Sequence, residues 1–189
     1  MSFDQEITNA LKTLREGGTI LYPTDTVWGV GCDATNELVV EKVLQIKQRE
    51  ESKSMIILVS DVGMLNRFVK EIPALAWDLI EMSEKPITII YDSPRGLAKN
   101  VLAADGSVGI RIVKDDFCQR MIHKFGKPIV STSANFSGEP TPENFDAVAE
   151  EIKNKVDLVV DWRQDDISKT KPSSIIKLKT NGEFVIIRK

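Results

Sequence analysis

The chain has 189 residues, 42% of them hydrophobic, and carries 25 Lys and Arg against 28 Asp and Glu for a formal charge of −3. That length suits a single domain with a real core over residues 1–189, and no linker, repeat or low-complexity tract divides it. The slightly acidic balance argues against a dedicated polyanion binder, and two unpaired cysteines (Cys32, Cys118) with one histidine (His123) argue against a structural zinc site.

The first residues, Met-Ser-Phe-Asp-Gln-Glu, lack the basic, apolar, small-residue order of a secretion signal, and no apolar run approaches spanning length, so the chain reads as cytoplasmic. Ile7, Leu11 and Leu14 recur at helical spacing within 4–16, and Gly17-Gly18 supplies the stop. Residues 19–22 read as a buried strand. The following Tyr22-Pro23-Thr24-Asp25-Thr26 is either a plain turn or a ligand-facing loop. A helix is predicted over 37–49, capped by Asn36, with Val40, Val43 and Leu44 on its apolar face. Lys47 falls in phase with that face and so belongs at the core edge, pointing into a cleft. Residues 55–59, 87–91 and 108–112 read as strands, with helical patterns around 61–70, 74–82 and 116–125. A strand at 128–130, a helix over 143–154 and a strand at 157–160 follow. Strands at 174–178 and 184–188 close the chain, joined by the hairpin signal Asn181-Gly182. Strands interleaved with helices give an α/β fold, and the closing hairpin makes its sheet mixed.

Residues 131–138, Ser-Thr-Ser-Ala-Asn-Phe-Ser-Gly, crowd hydroxyls and a carboxamide behind the apolar Pro128-Ile129-Val130. They are either turns and a cap or a neutral cradle for an oxygen-rich ligand. The cations Lys47, Arg49 and Lys53 can clamp phosphates in a cleft, or can serve as ordinary helix C-terminal charges paired with Glu50 and Glu51. Arg111 interrupts an apolar strand, which leaves either an outward position on a half-exposed sheet or a carboxylate-binding role. Gly29, Gly31 and Ala34 match G-x-G-x-x-A, but the six residues from Pro23 to Trp28 separate them from the strand, against a dinucleotide site. No Walker-type phosphate loop appears, and a single histidine argues against a nucleophile–base triad. What remains is chemistry by positioning and charge stabilisation, as in phosphoryl or nucleotidyl transfer.

The ordered set Gly17 to Gly31 (Gly-Gly-Thr-Ile-Leu-Tyr-Pro-Thr-Asp-Thr-Val-Trp-Gly-Val-Gly), Lys47-x-Arg49, Gly109-x-Arg111, Ser131 to Pro140 and Pro172-Ser173-Ser174 resembles the YrdC/TsaC family of threonylcarbamoyl-adenylate synthases. Glu50 and Glu51 stand where that family commonly has a proline, and Ser54 follows Lys53 where it has another. The resemblance implies a twisted, open mixed sheet flanked by helices, with a concave basic cleft, in the short form without the further C-terminal domain of longer relatives. It implies a nucleotidyltransferase that joins L-threonine, bicarbonate and ATP into threonylcarbamoyl-AMP and diphosphate for tRNA threonylcarbamoyladenosine (t6A) modification. Threonine's amine and bicarbonate form a carbamate whose oxygen attacks the α-phosphate, so no enzyme nucleophile is needed. By the same resemblance Lys47 and Arg49 are catalytic and bind ATP with Lys53, Ser133, Asn135, Thr141 and Arg188. Thr26, Arg111, Ser131 and Ser173 bind L-threonine. Mg2+ accompanies the triphosphate, with no dedicated protein metal site. Direct tRNA contact and a downstream t6A transferase complex are the implied partners. The competing reading is a noncatalytic factor for structured RNA or ribosome maturation on the same fold, against which the acidic balance counts.

Overall fold

The computed structural model describes residues 2–48, 55–168, 171–179 and 183–189. Helix α1 (Phe3–Arg15) starts at Ser2, whose hydroxyl accepts the Gln5 N–H, and buries Ile7, Ala10, Leu11 and Leu14. Strand β1 (Ile20–Tyr22) follows, as the pattern requires. A strand that the pattern does not show, β2 (Gly29–Gly31), then pairs antiparallel with it. With two glycines in three residues, β2 has no alternation to read. Its glycines are set by close approach: a Cβ at Gly31 would lie 2.5 Å from the Val130 carbonyl oxygen and 2.7 Å from Tyr22 Cε1.

Helix α2 (Glu37–Lys47) is capped by Asn36 as expected and ends two residues early, because Gln48 turns left-handed at φ 51°. Strand β3 (Ile56–Val59), helices α3 (Val62–Phe68) and α4 (Ala74–Met82), strands β4 (Ile87–Tyr91) and β5 (Val108–Ile112) and helix α5 (Asp116–Phe125) fall where the periodicities put them. Strand β6 (Ile129–Ser133) runs three residues further than the apolar pattern. The reason is pairing on both sides: Ser131 lies opposite Ile56, Thr132 opposite Val30 and Ser133 opposite Gly29. Helix α6 (Glu150–Lys155) is much shorter than predicted, since the preceding residues form turns in which Asn144 Oδ1 accepts the Ala147 N–H. Strands β7 (Leu158–Val159), β8 (Ser174–Leu178) and β9 (Phe184–Arg188) complete the chain; the Asn181-Gly182 turn lies outside the described residues.

The described strands form one open mixed sheet in the order β7-β1-β2-β6-β3-β5-β4-β8-β9, with parallel pairs β1–β7, β3–β5 and β4–β8 and antiparallel pairs elsewhere. The predicted α/β class and mixed sheet are both present. Two-residue periodicity sends Ile57, Ile89, Ile110 and Val130 into the core, while Ile56, Thr88, Ile90, Gly109, Arg111, Ser131 and Ser133 share the other face. Helices α1 and α5 pack on each other, and α3 and α5 pack on β3.

Asp61 caps α3, accepting the Met64 N–H at 2.8 Å and the Ser60 hydroxyl at 2.6 Å. The Ser60 bond first, and then the Met64 N–H, hold its carboxyl below the ordinary carboxylate range. A depressed folded-state value means the cap stabilises above the unfolded carboxyl pKa and is lost as pH falls through the folded one. Asp61→Ala should therefore cost about 1 kcal/mol in urea denaturation at neutral pH, with the gap to wild type closing in acid.

Candidate active site

A cavity of about 220 Å³ lies on the polar face of the sheet, lined by residues of β2 to β6 and β8, by loop residues beside them and by the chain's last arginine. Strand alternation places Gly109 and Arg111 on this face of β5, Thr88 and Ile90 on β4, and Ser131 and Ser133 on β6. Glycine keeps the cavity open: a Cβ at Gly29 would come within 3.2 Å of Ser131 Oγ, and one at Gly109 within 3.1 Å of Thr88 Cγ2.

Arg111 is 3% exposed, so the outward-facing alternative for this residue is excluded. Its Nη2 donates to Thr26 Oγ1 at 3.1 Å and lies 3.1 Å from Asp25 Oδ1, itself on a side chain only 9% exposed. A charge buried this deeply needs such a counterion. The local pattern leaves Asp25 inside a segment that reads as a turn or a loop and does not reveal this role, for which a carboxylate between two threonines is the available signal. Among the described residues, Arg111 Nε has no hydrogen-bond partner.

The loop beside Arg111 has ordered protons. Thr24 Oγ1 donates to the Val27 carbonyl at 2.8 Å, so in its 3.0 Å contact with Thr26 it must accept. Thr26 therefore donates to Thr24 while accepting from Arg111, and what it has left to offer the cavity is an acceptor.

Ser173, also in the lining, is 2% exposed, and its hydroxyl lies 2.8 Å from Thr88 Oγ1. Arg188 Nε donates to the Ser173 carbonyl at 2.8 Å. Burial, and then the charge of Arg111, lower the Arg188 pKa, which puts both guanidinium groups in one electrostatic neighbourhood. They are the only charged side chains among the described residues lining the cavity. Seven of the residues singled out from sequence thus converge here: Thr26, Arg111, Ser131 and Ser173 for the amino acid, and Ser133, Thr141 and Arg188 for the nucleotide.

Lys47 and Asn135 stand behind that surface and not in its lining. Lys47 is 2% exposed, and its Nζ donates to the carbonyl oxygens of Ser133 and Asn135. The Lys47 carbonyl in turn accepts the Ser137 N–H at 3.0 Å, so backbone and side chain both grip the segment leaving β6. Asn135 Nδ2 donates to the carbonyls of Phe136 and Glu139, shaping the turn, while its Oδ1 is buried with no partner among the described residues. Arg49 and Lys53 lie outside the described residues.

Burial raises the pKa of Cys118 and Cys32 well above the ordinary thiol value, so both thiols stay protonated and neither is a nucleophile at neutral pH. No group of three or more His, Cys, Asp or Glu side chains able to hold a metal occurs among the described residues, and none of their helices is long and apolar enough to cross a membrane.

Residues 12–189 match the Sua5/YciO/YrdC family model, described as telomere recombination. The threonylcarbamoyl-AMP synthase of Pseudoalteromonas translucida (strain TAC 125) is 32% identical over 164 residues, covering 85% of this chain and 88% of that protein. Among solved structures, a doubly substituted P. abyssi Sua5 superposes with TM-score 0.87 at 26% identity, covering 100% of this chain and 57% of that one. P. abyssi Sua5 complexed with L-threonine gives a TM-score of 0.82 at 25% identity, covering 94% of this chain and 52% of that one. The chain thus spans little more than half of each solved Sua5 chain and most of the bacterial synthase. With the family match running over nearly its whole length, the chain belongs to the Sua5/YciO/YrdC family.

Proposed function

We propose that this chain is a threonylcarbamoyl-AMP synthase, a nucleotidyltransferase that joins L-threonine, bicarbonate and ATP and releases diphosphate, supplying the activated group for tRNA t6A modification. The observation that carries this reading is the pairing of a buried arginine, Arg111, with a hydroxyl-lined cavity whose described lining holds a second guanidinium and no carboxylate. Such a surface suits a carboxylate at one end and phosphates at the other. The names of bacterial relatives and the L-threonine complex of Sua5 support the same substrates.

In this mechanism Arg111 pairs with threonine's carboxylate through the part of its guanidinium that Thr26 and Asp25 do not occupy. Thr26, already donating to Thr24, accepts from a substrate N–H or O–H, and Ser131 and Ser173 line the same cavity. Threonine's amine combines with bicarbonate to give the carbamate and water. A carbamate oxygen then attacks the α-phosphorus as the bond to diphosphate breaks. Ser133, Asn135, Thr141 and Arg188 hold the nucleotide, with Lys47, Arg49 and Lys53 supplying positive charge toward its phosphates. Magnesium neutralises phosphate charge when bound. The hydroxyl and guanidinium donors of the cavity suit phosphate oxygens and not a cation, so the triphosphate and water would be its ligands. Direct tRNA contact and hand-over to a separate transferase belong to the same proposal.

Purified protein given ATP, Mg2+, L-threonine and bicarbonate should release diphosphate, and omitting either threonine or bicarbonate should stop it. Salt-sensitive binding of structured RNA with no threonine-dependent turnover would replace this reading with the noncatalytic one.

A further inference from the structure

The segment after β7 contains a backbone outlier. Arg163 adopts φ 57°, the left-handed region that glycine enters freely and a side chain enters at a cost. Strain of this kind persists where surrounding contacts over-determine it. Trp162 is fixed edge-on against the Phe3 ring, with centroids 5.0 Å apart, and Gln164 Nε2 donates to the Val160 carbonyl. Between these anchors, the left-handed turn carries the Arg163 guanidinium to two acceptors. Its Nη2 lies 3.1 Å from Asp115 Oδ2 and donates to the Thr24 carbonyl at 3.2 Å.

One acceptor, Thr24, belongs to the loop that holds Arg111, and the other, Asp115, to the start of the helix that grips that loop. Asp115 caps α5 through Oδ1, which accepts the Cys118 N–H at 2.9 Å. The start of α5 grips the loop after β1 at neighbouring residues: Cys118 Sγ donates to the Pro23 carbonyl and the Lys114 N–H donates to Asp25. Thr24, between them, receives its backbone bond from Arg163. Thr24 also orients Thr26, and Asp25 and Thr26 are the two partners of the Arg111 guanidinium.

We propose that Arg163 is a positioning residue for the amino-acid substrate: by tying the Thr24 carbonyl to Asp115 it fixes Asp25 and Thr26, and through them the aim of Arg111. The inference rests on the synthase reading above, in which Arg111 receives threonine's carboxylate. Arg163 is not part of the cavity lining, so losing it loosens recognition of one substrate and leaves the nucleotide wall untouched.

The test is Arg163→Gly, which removes the clamp and suits the left-handed backbone, together with Arg163→Lys, which keeps a charge near Asp115 without the guanidinium fork. Diphosphate release is measured against threonine and against ATP, beside the wild type, with the melting temperature of each protein. Arg163→Gly should raise KM for threonine about tenfold and leave KM for ATP within about twofold, with Arg163→Lys in between. A threonine KM within about twofold of wild type, or equal rises for both substrates, overturns the proposal. A wild-type protein without threonine-dependent turnover overturns the synthase reading and this inference with it; wild-type activity with an unselective variant overturns the inference alone.

Discussion

Arg111→Ala should lower kcat/KM for threonine about 100-fold to 1000-fold while changing KM for ATP much less. Two effects combine. The substitution removes the guanidinium that meets threonine's carboxylate, and it strands Asp25, whose side chain is 9% exposed and lies 3.1 Å from Arg111 Nη2. An orphaned buried charge costs about 3–5 kcal/mol, a melting temperature lower by roughly 10 °C for a chain of this size. Because the first effect concerns binding and the second folding, adding Asp25→Asn separates them. The double variant should recover much of the stability and none of the threonine use. Equal loss of threonine and ATP use in that stabilised background would reduce Arg111 to a folding role.

The second large effect is expected at Lys47. Lys47→Met keeps most of the buried stem and removes the ammonium that donates to the Ser133 and Asn135 carbonyls. Since Ser133 O also accepts the Asn135 N–H, its carbonyl is not left bare, and the stability cost should stay near 1–3 kcal/mol. The larger change is electrostatic: a positive charge disappears from directly behind the proposed nucleotide wall, and kcat should fall about 100-fold. Full activity in a Lys47→Met protein would remove Lys47 from the catalytic set.

These two residues mark how far the sequence is readable. The helical phase that puts Lys47 in line with Val40, Val43 and Leu44 predicts a place at the core edge, and it is 2% exposed, but its Nζ meets backbone carbonyls and does not line the cleft it was expected to enter. Phase says nothing about the carbonyls it meets, which lie 86 and 88 positions further on. Arg111 is conspicuous in an apolar strand, yet its protein counterion sits on a loop 86 residues earlier that local pattern leaves open. Strand β2 has no side-chain alternation, and β6 continues through Ser131-Thr132-Ser133 only because β2 and β3 pair with it on either side. Hydroxyl residues that look like a strand exit are thereby lifted onto the cavity face. Arg163 gave no signal at all, since a left-handed arginine is recognised only from its backbone.

In the proposed reaction bicarbonate, threonine and the adenylyl part of ATP end in one molecule, formed without covalent attachment to the protein. Supplying 13C-labelled bicarbonate with L-threonine, ATP and Mg2+ and analysing the products by mass spectrometry tests this directly. Threonylcarbamoyl-AMP carrying the heavy carbon should form in step with diphosphate and be absent when threonine is withheld. Diphosphate release that continues without threonine, or an adenylate free of the label, would contradict it.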